Sequence, residues 1–430
     1  MKKFLILSLI FINITFCEEI LTLTDCVKIA IENNLKLKIY RDKIEQNYYQ
    51  TEISRKYLYP SLSVSFNYTY LGDYEGITFG NFPPFKILDD NTYTLKFTIS
   101  QPLFTGWEIE KGFEISKEYY EKSKIDYENE FSNIIMDVKN AYFNVLKAKK
   151  ILQTSFKYKE NLEKHLINAK RMFELGMATK LDILKTEVAL KNAETKIIES
   201  ESYLKKAKAN LNFILNRSIE NEFEVEDILE EKEEKKDYNW WKENALKERK
   251  EIKSFAKVIS IYEKNIEIER SNLYPQIYFF FNYNIEKGTQ TSRYSWGDNW
   301  NTGILLTYDI WNWRQTEDRI KKAEKEKERL EKEFELLKDS IEMEVKNIYL
   351  NLKSLEEKVK EIEKQIEFAE ENLRVAELLY NEGLATSLDV IEAITSLTET
   401  KNNYLNALYE YKITYIQLEK ASGILKMEGK

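Results

Sequence analysis

Residues 57–70 read YLYPSLSVSFNYTY, and residues 272–285 read NLYPQIYFFFNYNI. In each, a Tyr-Pro corner is followed by side chains of two kinds in alternation. After Pro60, the residues Leu62, Val64, Phe66, Tyr68 and Tyr70 fall on one side and Ser61, Ser63, Ser65, Asn67 and Thr69 on the other. After Pro275, Ile277, Phe279, Phe281, Tyr283 and Ile285 alternate with Gln276, Tyr278, Phe280, Asn282 and Asn284. A period of two marks a strand with unlike faces. Two later stretches behave alike. Tyr93, Leu95, Phe97 and Ile99 oppose Thr94, Lys96, Thr98 and Ser100; Trp300, Thr302, Ile304, Leu306 and Tyr308 oppose Asn301, Gly303, Leu305 and Thr307. The alternation predicts strands over 61–71, 92–101, 276–286 and 299–308, each about the length a tilted strand needs to cross a bilayer. A soluble β-sandwich flap would alternate in the same way.

The start of the chain favours the membrane. Lys2 and Lys3 precede an apolar run over 4–12, and Thr15 and Cys17 are small residues at a cleavage site, so residues 1–17 read as an export signal. A second reading makes Cys17 a lipidated N-terminus. No later stretch approaches the roughly 20 apolar residues of a membrane helix. Four strands cannot close a barrel, and an open edge in lipid leaves backbone groups unsatisfied at several kcal/mol each. Several chains must pool their strands.

Working outward, the chain proves to be one unit written twice. Residues 176–184 read GMATKLDIL and residues 383–391 read GLATSLDVI. These turns are offset by 207 residues (176 to 383), whereas the Tyr-Pro corners are offset by 215 (60 to 275). The first copy therefore carries an insertion, placed in a loop over 72–91 that contains Pro83 and Pro84. The expected organisation is a first repeat over 18–217, an acidic irregular connector over 218–239, a second repeat over 240–425 and a tail over 426–430. Each repeat runs helix, strand, loop, strand, long helix, Gly turn, helix.

The long helices are legible from their seam. Leu330, Phe334, Leu337, Ile341, Val345, Ile348, Leu352, Leu355, Val359, Ile362, Ile366, Ala369, Leu373, Ala376 and Tyr380 step by fours and threes, the 3.5 period of a left-handed coiled coil. Pro and Gly are absent from 314–382, so the helix predicted there is about 100 Å long. Lys and Glu fill the positions between, a solvated face.

Catalytic chemistry finds no support. Beyond Cys17 the only cysteine is Cys26, and the one histidine, His165, sits in a helical stretch and reads as a solvent-facing residue. Neither a dyad, a metal site nor a disulfide framework follows from one of each, and no cofactor is implied. A formal charge of −8 argues against nucleic acid as a partner.

With these pieces placed, the chain resembles the TolC family of outer-membrane efflux proteins. The likeness is carried twice and in order: Leu58-Tyr59-Pro60 and Leu273-Tyr274-Pro275, the strand exit Ser100-Gln101-Pro102-Leu103-Phe104-Thr105-Gly106, and the Gly-x-Ala-Thr-x-Leu-Asp turns at Gly176 and Gly383. The second exit, Tyr308-Asp309-Ile310-Trp311-Asn312-Trp313, lacks the Pro and the Gly. The resemblance implies a mixed α+β membrane protein with long coiled-coil helices and four transmembrane strands per chain, closed into a barrel by a homotrimer. It implies an outer-membrane location with a helical tunnel in the periplasm. It further implies a periplasmic adaptor and an inner-membrane pump of the RND or ABC class as partners, serving efflux or type I secretion. The adaptor-docking tip would comprise Gly176, Met177, Ala178 and Thr179 with Gly383, Leu384, Ala385 and Thr386. Asp389 and Glu392 match positions of acidic rings in the lumen, and Asp182 and Tyr380 match positions that hold the tip closed. An Arg expected near Gly383 is replaced by Ala385, and Lys185 replaces an acid in the first copy. A rival account of Thr179 with Asp182, and of Thr386 with Asp389, is helix capping. The rival function is an exported coiled-coil structural protein of the envelope without channel activity.

Overall fold

The computed structural model describes residues 19–72, 77, 80, 88–228 and 236–425. The export segment with Cys17, the tail 426–430 and most of the loop 72–91 lie outside them. The chain divides into two compact units, and the division cuts through both long helices. One unit holds the described residues up to Lys38, Asn129–Arg249 and those from Ser340 onward; the other holds Ile39–Glu128 and Lys250–Asp339.

The first copy runs β1 (Ile20–Leu21), α1 (Leu23–Asn33), α2 (Leu35–Lys56), β2 (Ser61–Tyr70), β3 (Asn91–Phe104), α3 (Glu108–Glu174) and α4 (Lys180–Ile214). The second runs β4 (Glu224–Val225), α5 (Tyr238–Glu248), α6 (Lys250–Ser271), β5 (Gln276–Lys287), β6 (Gly297–Thr307), α7 (Gln315–Asn381) and α8 (Ser387–Ala421). The long helices α3 and α7 are 67 residues each, and α4 and α8 are 35 each. The duplication thus extends to element lengths.

The sheet unit contains β2-β3-β5-β6, antiparallel throughout. Its register gathers most of the apolar side chains on one face: Val64 lies opposite Phe97, Phe97 opposite Tyr283, and Tyr283 opposite Trp300, while Tyr278, Phe280 and Leu305 fall on the other. The other face carries Ser63, Thr98, Asn282 and Asn301 in one rung and Ser65, Lys96, Asn284 and Asn299 in the next. The outer edges of β2 and β6 pair with no strand among the described residues. Both Tyr-Pro corners close in the same way. The amides of Leu58 and Tyr59 donate to Arg55 and Lys56, and those of Leu273 and Tyr274 donate to Arg270 and Ser271. Pro60 and Pro275 then push the residue before them into extended backbone and end the helix.

The strand exits show why the second one can lack glycine. In the first, Gly106 and Trp107 take φ of 64° and 69°; in the second, Trp313 and Arg314 take 56° and 64°. The chain makes the same left-handed turn in both copies and bears the strain at Trp313, where a Cβ is disfavoured. Gly106 has a further constraint, since a Cβ there would stand 2.6 Å from the Ser271 carbonyl oxygen.

In the helical unit every seam residue of α7 from Ser340 onward is buried or half-buried, while the Lys and Glu between them are mostly exposed. Val359 and Ile362 of α7 pack with Ala407 of α8. The stretch read as an irregular connector is partly ordered: β4 pairs in parallel with β1, Ile20 beside Glu224 and Leu21 beside Val225, and α5 begins at Tyr238. The buried Tyr142 hydroxyl donates into this junction, 2.8 Å from the Glu226 carbonyl. Glu224 meets Lys149 at 2.5 Å and Lys208 at 3.0 Å, which ties the strand to α3 and α4. No helix among the described residues is long and apolar enough to cross a membrane.

Candidate functional site

The two Gly turns are built by the same bonds. At the end of α3, the Met177 amide donates to the Met172 carbonyl at 2.8 Å and the Gly176 amide to Phe173 at 2.9 Å. At the end of α7, Leu384 donates to Leu379 at 2.9 Å and Gly383 to Tyr380 at 3.0 Å. This is the Schellman closure, and it requires left-handed backbone, seen as φ of 75° at Gly176 and 72° at Gly383. The next helix starts three residues on with a capping box. Thr179 accepts from the Asp182 amide at 3.3 Å, and Asp182 Oδ2 accepts from the Thr179 amide at 2.9 Å. Thr386 and Asp389 repeat this at 3.3 and 2.6 Å. Both carboxyls sit below the usual carboxylate range because the Thr hydroxyl, and then the Thr backbone amide, donate to them.

These bonds fix what each residue offers. Met177 and Leu384 project, 53% and 76% exposed, while Ala178 and Ala385 turn inward against the apolar cluster of Leu162, Met172, Val390 and Ile394. Thr179, Thr386 and Asp389 are on the surface, with their polar atoms engaged in the caps. Glu392 is exposed one turn deeper and shares an open groove with Asp389, Leu384 and Ala385. The two turns adjoin one another: a Cβ on Gly383 would lie 3.4 Å from Met177 Cε.

His165 corrects the reading of a solvent-facing residue. It is 5% exposed, and its Nε2 lies 2.8 Å from Ser387 Oγ. Ser387 Oγ lies 3.1 Å from Thr186 Oγ1, and Thr186 donates to the Asp182 carbonyl at 2.8 Å. An order of donors from His165 Nε2–H through Ser387 and Thr186 to that carbonyl uses each hydroxyl proton once. The imidazole also meets the Tyr380 ring edge-on at 5.1 Å. One buried junction thus draws a residue from each of α3, α4, α7 and α8. Burial, the largest influence, pushes the His165 pKa down to about 4. Tyr380 is buried and its hydroxyl has no hydrogen-bond partner among the described residues; burial, and then the nearby Asp182 charge, push its pKa up. Sequence reasoning missed this junction because a helix face cannot be assigned for one polar residue without its neighbours. The available signal was spacing: Leu162, His165, Ala169 and Met172 step by three and four, and all are buried.

Pro60 and Pro275 each precede a strand of the sheet unit. There the polar face is internally bonded. Thr98 donates to Asn282 Oδ1 at 2.9 Å, Asn282 donates to Asn301 Oδ1 at 2.8 Å, and Asn284 donates to Asn299 Oδ1 at 2.8 Å. Among the described residues no group of side chains could hold a metal ion.

A family model described as outer membrane efflux protein matches residues 26–217 and 241–424. Solved structures share the fold. CusC aligns at TM-score 0.80 and 17% identity, covering 93% of this chain and 92% of its own. The Campylobacter jejuni outer membrane channel CmeC aligns at 0.78 and 16%, covering 95% and 87%. The open state of the Neisseria gonorrhoeae outer membrane channel MtrE aligns at 0.75 and 18%, covering 95% and 90%. No curated protein sequence matches the chain.

Proposed function

Because this chain belongs to the outer membrane efflux protein family, we propose that it forms the outer-membrane channel of a tripartite efflux or type I secretion system, a passive exit duct. Three copies pool their strands into one barrel of about twelve, with the apolar face toward lipid and the polar face toward a water-filled lumen. The helices continue as a tunnel in the periplasm. Its closing end carries the paired Gly turns, which receive a periplasmic adaptor, and the adaptor links the duct to an inner-membrane RND or ABC pump. In this reading the protein performs no reaction. It supplies a walled path, and the pump supplies the work.

The observation that carries the proposal is the sheet. It has four strands, one apolar face, one bonded polar face and two outer edges that pair with no strand among the described residues. Such an edge is tolerated in lipid only when another chain satisfies it. A scaffold protein with a soluble flap has no use for an apolar face closed laterally by copies of itself. The test is the mass of the purified protein in detergent with crosslinking. The expected result is three times 51.3 kDa, less the export segments. A stable membrane-inserted monomer would overturn the proposal.

Within the duct, the acidic constriction is assigned to Glu392, with Asp389 as a fixed neighbouring charge. The capping box occupies one oxygen of Asp389, while Glu392 is free to face the opening. Six carboxylates near a narrow lumen attract cations. Asp182 and Tyr380 contribute as supports of the tip, Asp182 through its cap and Tyr380 through the buried junction with His165.

A further inference from the structure

Lys96 is an unusual residue for its place. It sits in the middle of β3, opposite Ser65 on β2 and Asn284 on β5, on the polar face of the sheet. That face carries two charged residues among the described strand positions, Lys96 and Glu286. Glu286 is 8% exposed, and its carboxylate accepts from Asn299 at 2.8 Å and from Thr291. Lys96 has neither an ion pair nor a hydrogen bond among the described residues. An ammonium group with no ion pair among the described residues raises the local concentration of anions.

The surroundings favour the same sign. Asn282, Asn299 and Asn301 already accept hydrogen bonds at their amide oxygens. Asn282, Asn284 and Asn299 each use one amide proton and keep another, and Asn301 keeps both. The two rungs that hold Lys96 and Thr98 therefore keep unused N–H donors on the same face as the ammonium group. N–H donors beside an ammonium group match a carboxylate, which only accepts.

We propose that Lys96 and the asparagine rungs beside it form a docking point for carboxylate-bearing solutes inside the barrel, one per chain and three around the lumen. The assignment rests on the trimeric duct proposed above. It gives the duct two unlike points, so a solute anion is held at Lys96 and a multivalent cation at Glu392.

The test is planar-bilayer recording of the assembled protein with citrate added on the side away from the periplasmic tip. Wild type should be blocked in a voltage-dependent way. Lys96→Gln should raise the half-blocking citrate concentration about tenfold, the loss expected for one charge-assisted contact, and Lys96→Arg should retain the block. A trivalent cation added on the periplasmic side should block wild type and Lys96→Gln alike. Equal citrate block in wild type and Lys96→Gln overturns the assignment while leaving the duct intact. So does a change in cation block that follows the citrate effect, since the substitution then acts on the pore as a whole. Wild-type protein that assembles and does not conduct overturns the duct itself, and the docking point with it.

Discussion

At the scale of single residues, His165 and Glu392 make the sharpest claims. Between about pH 6.5 and pH 4 the unfolded chain binds a proton at His165 that the folded chain excludes, because burial holds the folded pKa near 4. Stability from this site is complete above that window, falls as the pH drops through it by up to about 3 kcal/mol, and is flat below. Asp182 is the one charged neighbour that opposes the shift. Melting in detergent at pH 7 and pH 4.5 should cost wild type more than His165→Gln, and equal losses would contradict the buried junction. At the groove, Glu392→Gln should remove most of the block by a periplasmic trivalent cation. Asp389→Asn should remove less and weaken the capping box at the helix start. Equal effects of the two on block would return Asp389 to the lumen on the same footing. Neither distinction was open to sequence alone. Thr386 with Asp389 suited both a cap and an acidic ring, and the 2.6 Å bond from the Thr386 amide shows the cap.

At the scale of elements, periodicity did most of the work. The apolar alternation around Val64, Phe97 and Tyr283 placed each strand's faces, because a strand has only two and a slip of one residue exchanges them. The order in which strands pair was not legible: β3 meets β5 rather than β6, and no local pattern encodes that choice. The second strand exit was misleading in another way. It lacks the glycine, yet Trp313 and Arg314 take the positive φ of Gly106 and Trp107, so tertiary context overrode local preference. The tip turns permit a cleaner comparison. Gly176 has nothing within 4 Å of where a Cβ would stand, so Gly176→Ala reports backbone strain alone. It should cost about 1 kcal/mol, and Gly383→Ala about the same, since Met177 Cε would stand at ordinary contact distance. Unfolding midpoints of both variants against wild type check this, and an unchanged midpoint for Gly176→Ala would mean that the turn is unstrained.

At the scale of the whole molecule, the duplicated chain presents two unlike turns side by side, one tipped by Met177 and the other by Leu384. In a trimer they alternate around one rim. Met177→Asp combined with Leu384→Asp should abolish capture by the cognate adaptor and leave the detergent mass of the oligomer unchanged; undiminished capture would move docking elsewhere. The parallel pairing of β1 with β4 has a different consequence, which concerns time. A chain crossing the inner membrane from its N-terminus delivers Ile20 and Glu224 well before it delivers β5. The β1–β4 junction can therefore close while the second copy is still being translocated. The β3–β5 pairing must wait, since Thr98 finds Asn282 only after a further long stretch of chain has emerged. The order of synthesis thus delays the wide apolar sheet until late in export, which shortens the interval in which that face is exposed to water before it reaches the membrane.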